Sequence, residues 1–78
     1  MKNFYVIEIQ NNADGTSGNI VTGYESRTES ETAYLSTRAA AAVSSVLIHT
    51  AVWMDNKGNV IEKKFYVHPA PEPEQAAE

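Results

Sequence analysis

The chain contains no cysteine. No disulfide can brace it, and the thiolate zinc sites common in small domains are excluded. Proline is absent before Pro69; Pro69, Pro71 and Pro73 all lie in the last ten residues, PAPEPEQAAE. Lys and Arg number only six against ten Asp and Glu, and Lys2, Arg27, Arg38, Lys57, Lys63 and Lys64 are scattered. Nucleic-acid surfaces need clustered positive charge, so nucleic acid is disfavoured as a partner. No apolar run approaches the roughly 20 residues that span a bilayer, and no membrane partner is expected. The opening MKNFYVIEIQ has one Lys and a short apolar run broken by Glu8. It lacks the hydrophobic core of a secretory signal, so a soluble, intracellular protein is expected.

What remains is a chain of 78 residues with a formal net charge of −4. Glu72, Glu74 and Glu78 in the tail carry three of those four negative charges. The organisation expected is one domain over residues 1–68 and a disordered, acidic, Pro-rich tail over 69–78. A domain of that size buries only about 60% of its unfolded surface and is marginal alone. Oligomerisation is the remaining common device.

Residues 3–10 read as a strand rich in β-branched and aromatic residues. Asn11 to Gly18, with Asp14-Gly15 at its centre, reads as a turn, and residues 19–24 as a second strand. Ser26 and Thr28 both fit a capping box, with Glu29 and Glu31 respectively, opening a helix expected to reach Val46. Leu35, Ala39, Ala42, Val43 and Val46 form its most aliphatic stripe, expected to lie on the sheet. The other side holds Ser30, Ala33, Thr37, Ala40, Ala41 and Ser44. Alanine is a strong helix former and needs no partner to explain it; alternatively, small residues there admit a second helix. Residues 47–54 and 60–67 read as a hairpin, with Gly58 as the left-handed turn residue.

The fold class expected is therefore α+β, ββαββ: a four-stranded antiparallel sheet with one helix on one face. The order 2-1-3-4 is favoured and 1-2-3-4 is the alternative. A register pairing Trp53 with Val60 puts Ile48, Thr50, Val52, Ile61, Lys63, Phe65 and Val67 on the core face. One helix covers one face only. The uncovered face is expected to show Phe4, Val6, Val21, Trp53, Val60 and Tyr66, a larger apolar patch than a monomer usually exposes, to be covered either by the tail or by another chain. The candidate interface is thus Phe4, Val6, Trp53, Val60 and Tyr66 from the sheet, with Ala33, Thr37, Ala40, Ala41 and Ser44 from the helix.

Catalytic and metal chemistry find little support. His49 and His68 lack the tight ligand spacing of a metal site, and no cofactor is implied. His49 reads as structural and His68 as exposed. Ser44 and Ser45 precede His49, but a nucleophilic serine needs the imidazole within reach and a third group to orient it. Gly15, Gly18, Gly23 and Gly58 are not spaced as a phosphate loop. Trp53, Tyr66 and Phe4 could stack on single-stranded nucleic acid, yet only Lys2, Lys63 and Lys64 would serve its backbone.

FYVIEIQ, the DGT turn and AAAAVSSVLIHTAVWMDNKGNVI together resemble a type of short uncharacterised protein encoded in bacterial phages and prophages. The resemblance spans most of residues 3–68. It implies a mobile-element origin, with a place in the host cytoplasm or the virion, and carries no catalytic residues. The function expected is a non-enzymatic, self-associating accessory protein acting through protein contacts. Its expected partner is a second copy, a dimer being favoured, or else another phage or host protein. The alternative is a host-directed inhibitor or anti-defence protein.

Overall fold

The computed structural model describes residues 1–69. The expected acidic tail falls, apart from Pro69, outside the described residues. The elements are β1 (Phe4–Asn11), β2 (Ser17–Tyr24), α1 (Arg27–Ala42), β3 (Ile48–Asp55) and β4 (Val60–Val67). They form one four-stranded sheet in the order β2-β1-β3-β4, with every neighbouring pair antiparallel. The alternative order is excluded, because β1 lies between β2 and β3.

Local chemistry sets the turns. Gly15 takes φ +91° in the first hairpin. Asp14 Oδ1 accepts from the Thr16 amide at 2.9 Å and from its hydroxyl at 2.7 Å. Gly58 takes φ +86° in the second. There Asp55 accepts from the Lys57 and Asn59 amides at 2.8 and 2.9 Å. Such side-chain bonds to the following backbone fix turns that glycine makes accessible.

Helix α1 is capped by Ser26, whose Oγ accepts from the Glu29 amide at 3.3 Å. The C-terminus differs from expectation: the helix ends at Ala42, not Val46. Ser44 ends it by taking the Val46 N–H onto its own hydroxyl at 3.3 Å, a local bond that competes with helix continuation. His68 is not exposed as expected. It is half-buried, and its Nε2 lies 2.8 Å from the Ala41 carbonyl, close to the helix end.

The largest correction concerns which faces meet. The register places Val6, Ala51 and Trp53 on one side of the sheet, and all three are buried there with Tyr34 in one cluster. The helix residues turned inward are Ser30, Tyr34 and Ala41, all fully buried. Ala33 packs against the same cluster, while Thr37 is half-buried. The small-residue face of α1 is therefore its core face. The aliphatic stripe is the outer one, with Leu35 exposed and Val43 84% exposed.

Two physical reasons account for the inversion. The sheet presents a large indole, which close packing matches with small side chains. The buried indole N–H also needs an acceptor. Ser30 Oγ provides it at 2.9 Å from Trp53 Nε1, and passes its own proton to the Arg27 carbonyl at 2.8 Å. Tyr34 stacks on Trp53 with ring centroids 5.8 Å apart, and the Arg27 guanidinium lies 5.0 Å from the Trp53 ring. No aliphatic stripe offers such a hydroxyl.

The second hairpin adds a smaller correction. Trp53 opposes Glu62, not Val60; Val60 opposes Met54, with a register shift between them. Ile61 is the extra residue of this bulge, and its side chain packs on the helix-side cluster. Val60 and Ile61 thus keep their expected sides relative to the helix, while the inserted residue parts them from the rest of β4, whose sides are inverted, as it must in a period-two strand.

Two substitutions test this core. Ser30→Ala leaves the indole N–H buried and unpaired, which costs about 1–3 kcal/mol. Urea unfolding followed by far-ultraviolet circular dichroism should show that loss. Tyr34→Phe should behave in the opposite sense. The Tyr34 hydroxyl is buried without a hydrogen-bond partner, and burial, then the Glu62 carboxylate, pushes its ionisation up. Removing it should leave stability unchanged or raised by up to about 1 kcal/mol; a larger loss would reveal a bond to the nearby Glu62 or Arg38.

Candidate functional site

Two places offer chemistry beyond the core. The first is a chain of polar groups running from the helix end to the middle of the sheet. His49 is 3% exposed. Its Nε2 lies 2.6 Å from Glu8 Oε2, and its Nδ1 lies 2.7 Å from Ser44 Oγ. A carboxylate only accepts, so Nε2 donates to Glu8, and the Ser44 hydroxyl is the hydrogen-bond partner of Nδ1. The amide of Gln10 donates to the same Glu8 oxygen at 3.0 Å. Beside Glu8 and Gln10, a depression of about 220 Å³ opens towards Gly18, Asn19 and Ile20.

The structure thus brings together the serine, histidine and third group that a nucleophilic site requires. Ser45, the other serine weighed, is exposed and outside the network. The connections favour a structural role. Both imidazole nitrogens are engaged, and the ring is closed off from solvent. Ser44 Oγ is itself held by the Val46 amide, with the Ala41 carbonyl 3.3 Å away. The network satisfies every polar atom of a buried histidine and ties α1 to β1 and β3. The sequence offered Ser44 and His49 as neighbours; Glu8 comes from 41 residues away and only the sheet register supplies it.

The second place is the sheet face turned away from α1. Pairing puts Tyr5 opposite Met54, Ile7 opposite Val52 and Ile9 opposite Thr50 on this face. It continues with Ile48 opposite Val67 and Thr50 opposite Phe65. Val60 and Val21 extend it to both edges. Phe65 and Val67 are 61% and 63% exposed. Lys63 is the one charged strand residue that the pairing places on it, and Lys2 lies over Gly23 beside Tyr5 on the same side. Four strands of eight residues span about 19 by 26 Å, roughly 500 Å² in plan before the relief of the side chains is counted. That is the size of the largest apolar patch of a typical monomer, about 300–600 Å², which is often functional.

Against this map the expected interface residues divide. Val6, Ala41 and Trp53 are buried inside the protein and cannot meet another chain. Phe4, Ala33, Thr37, Ser44 and Tyr66 are half-buried on the helix–sheet side. Ala40 is exposed on the helix. Val60 alone among them lies on the open sheet face, opposite Met54. The open face is built from residues expected in the core, Ile61 apart.

Among the described residues, no group of three or more His, Asp or Glu is placed to hold a metal ion. Among the same residues, no helix is long and apolar enough to cross a membrane. No protein-family model matches the chain, and neither does any curated protein or solved structure.

The Glu8 carboxyl is held below its ordinary value of 4.5, first by the Gln10 amide and then by His49, with burial opposing. A depressed folded-state value contributes stability above the unfolded one and loses it as pH falls through the folded one. Urea midpoints measured between about pH 6 and 3 should therefore fall more steeply below about pH 4.5 in the native chain than in Glu8→Gln. Parallel curves would show that the network contributes nothing to acid stability.

Proposed function

We propose that this chain is a non-enzymatic, self-associating protein that works through protein contacts, with the open sheet face as its working surface. The observation that carries this is the mismatch between the two sides of the sheet. Among the described residues, the helix side buries only Val6, Tyr34, Ala41, Ala51 and Trp53 as its apolar core. The open side presents a broader apolar surface to water. A second copy laid face to face would bury it, about 10 Å away, as two sheets stack in a sandwich.

A second copy is the favoured occupant on grounds of area and chemistry. A stable dimer buries about 800 Å² of accessible surface per partner, of the order this face supplies. The strands contribute one charge to the face, Lys63, and Lys2 flanks it over Gly23, so like-charge contact between identical surfaces is confined to these two lysines. Two-fold symmetry makes one patch serve both partners. An accessory role in the phage or prophage setting implied by the sequence resemblance fits a protein that acts as such an assembly. A host-directed role would use the same face for a foreign protein, and a chain that stays monomeric would favour it.

Sedimentation velocity of the full chain between about 1 and 100 µM tests this. Dimers or multiples of dimers are expected, with Phe65→Lys weakening the face contact while circular dichroism stays native. Each buried Phe contributes about 1.5–3 kcal/mol and occurs twice in a symmetric dimer, so the contact should weaken about 100-fold or more. A soluble monomer throughout this range would overturn the proposal.

A further inference from the structure

The two edges of the sheet are built differently. β4, on one edge, carries Glu62, Lys63 and Lys64 in succession and the bulge at Ile61. Consecutive charges and a bulge are the usual protections of an edge strand against pairing with another chain. β2, on the other edge, reads SGNIVTGY. It has eight residues in continuous register with β1, with no charge, no proline and no bulge. None of the usual protections is present.

The hydrogen-bond phase shows what β2 offers outward. The Asn12 amide donates to the Thr16 carbonyl at 2.8 Å, and the Asn3 amide to the Tyr24 carbonyl at 2.9 Å. Even-numbered residues of this strand therefore turn their backbone groups inward to β1. Ser17, Asn19, Val21 and Gly23 turn their N–H and C=O groups outward, since the groups of alternate residues point to opposite sides of a strand. Ile20 is the other unusual feature of this edge: its side chain lies on the helix side, yet it is 58% exposed.

We infer that the outer edge of β2 pairs antiparallel with β2 of a second copy, joining two sheets into one of eight strands. A two-fold axis at Ile20 matches the outward residues of one strand to those of the other: Asn19 to Val21, and Ser17 to Gly23. About eight backbone hydrogen bonds result. Ile20 meets its own copy in a non-hydrogen-bonded pair, where side chains lie closest, and so loses its exposure. The neutral strand meets itself without charge conflict. A second copy is thus favoured over a foreign peptide, whose side chains would have no reason to match.

This edge contact does not rest on the proposed face contact, but the two together define an assembly. The edge two-fold stands normal to the sheet. The face two-fold lies parallel to it. Perpendicular axes that intersect close a tetramer of two stacked eight-stranded sheets, with no free apolar face left.

Sedimentation velocity and residue-resolved amide exchange on the full chain test it. The native chain should sediment as a tetramer. Asn19→Pro removes one outward N–H and leaves the β1 ladder intact, and the preceding Gly18 tolerates the restriction proline imposes. It should stop at the dimer, as Phe65→Lys should by the other contact, and the double variant should be monomeric. If Asn19→Pro fails to fold, the native chain still decides. The Asn19, Val21 and Gly23 amides should be protected at least tenfold more at high than at low concentration. Free exchange of those amides in a dimer that Phe65→Lys dissociates would overturn the edge and leave the face contact standing. A dimer dissociated by Asn19→Pro and untouched by Phe65→Lys would do the reverse, and a monomer would overturn both.

Discussion

The hydrogen bond from the Trp53 indole to Ser30 fixes how this protein is put together. An indole placed against a helix must find an acceptor, and a serine on that helix is a short-armed one. The helix therefore turns its Ser30 side inward and comes close to the sheet. Tyr34, one turn on, falls against the Trp53 ring, and Ala41 follows where larger residues would hold the helix off. The aliphatic residues that would normally line a helix–sheet interface are left outside. So is the more apolar face of the sheet, because the strand that carries Trp53 inward carries Ile48, Val52 and Met54 outward.

The same geometry explains the polar chain of Ser44, His49, Glu8 and Gln10. His49 shares the inward side of β3 with Trp53, at the end where α1 stops. Beyond Ala42 no helix remains to cover it. The hydroxyl of Ser44 and the carboxylate of Glu8 close the gap and leave no imidazole nitrogen unpaired. One end of the helix is thus held by an indole–hydroxyl bond and the other by an imidazole between two oxygens. Between them the contacts are mostly those of small side chains.

Strand order, turn positions and the helix start were legible because each rests on a local signal: Asp14-Gly15, Gly58, the Ser26 cap, and the β-branched runs of β1 and β3. Which face meets the helix was not legible in the same way. Alternation sorts Tyr5, Ile7 and Ile9 from Phe4 and Val6, but both sets are apolar, and periodicity cannot rank them. Ranking by aliphatic content chose the wrong stripe of α1. The signal that would have chosen correctly was polar: a lone tryptophan needing an acceptor, and a serine at a helical position able to give one. The bulge at Ile61 was equally hidden, since a turn length alone does not say which strand takes the extra residue. Glu8 could be joined to His49 only once β1 and β3 were in register.

Trp53 is the only tryptophan in the chain, and its ring is enclosed by Tyr34, Arg27 and the helix on the side remote from the open face. Its light emission is therefore a private record of whether the helix is seated. Whatever comes and goes on the far side of the sheet meets Tyr5 and Phe65 instead. The molecule thus carries one optical reporter for its folding, with the thickness of the sheet between that reporter and its company.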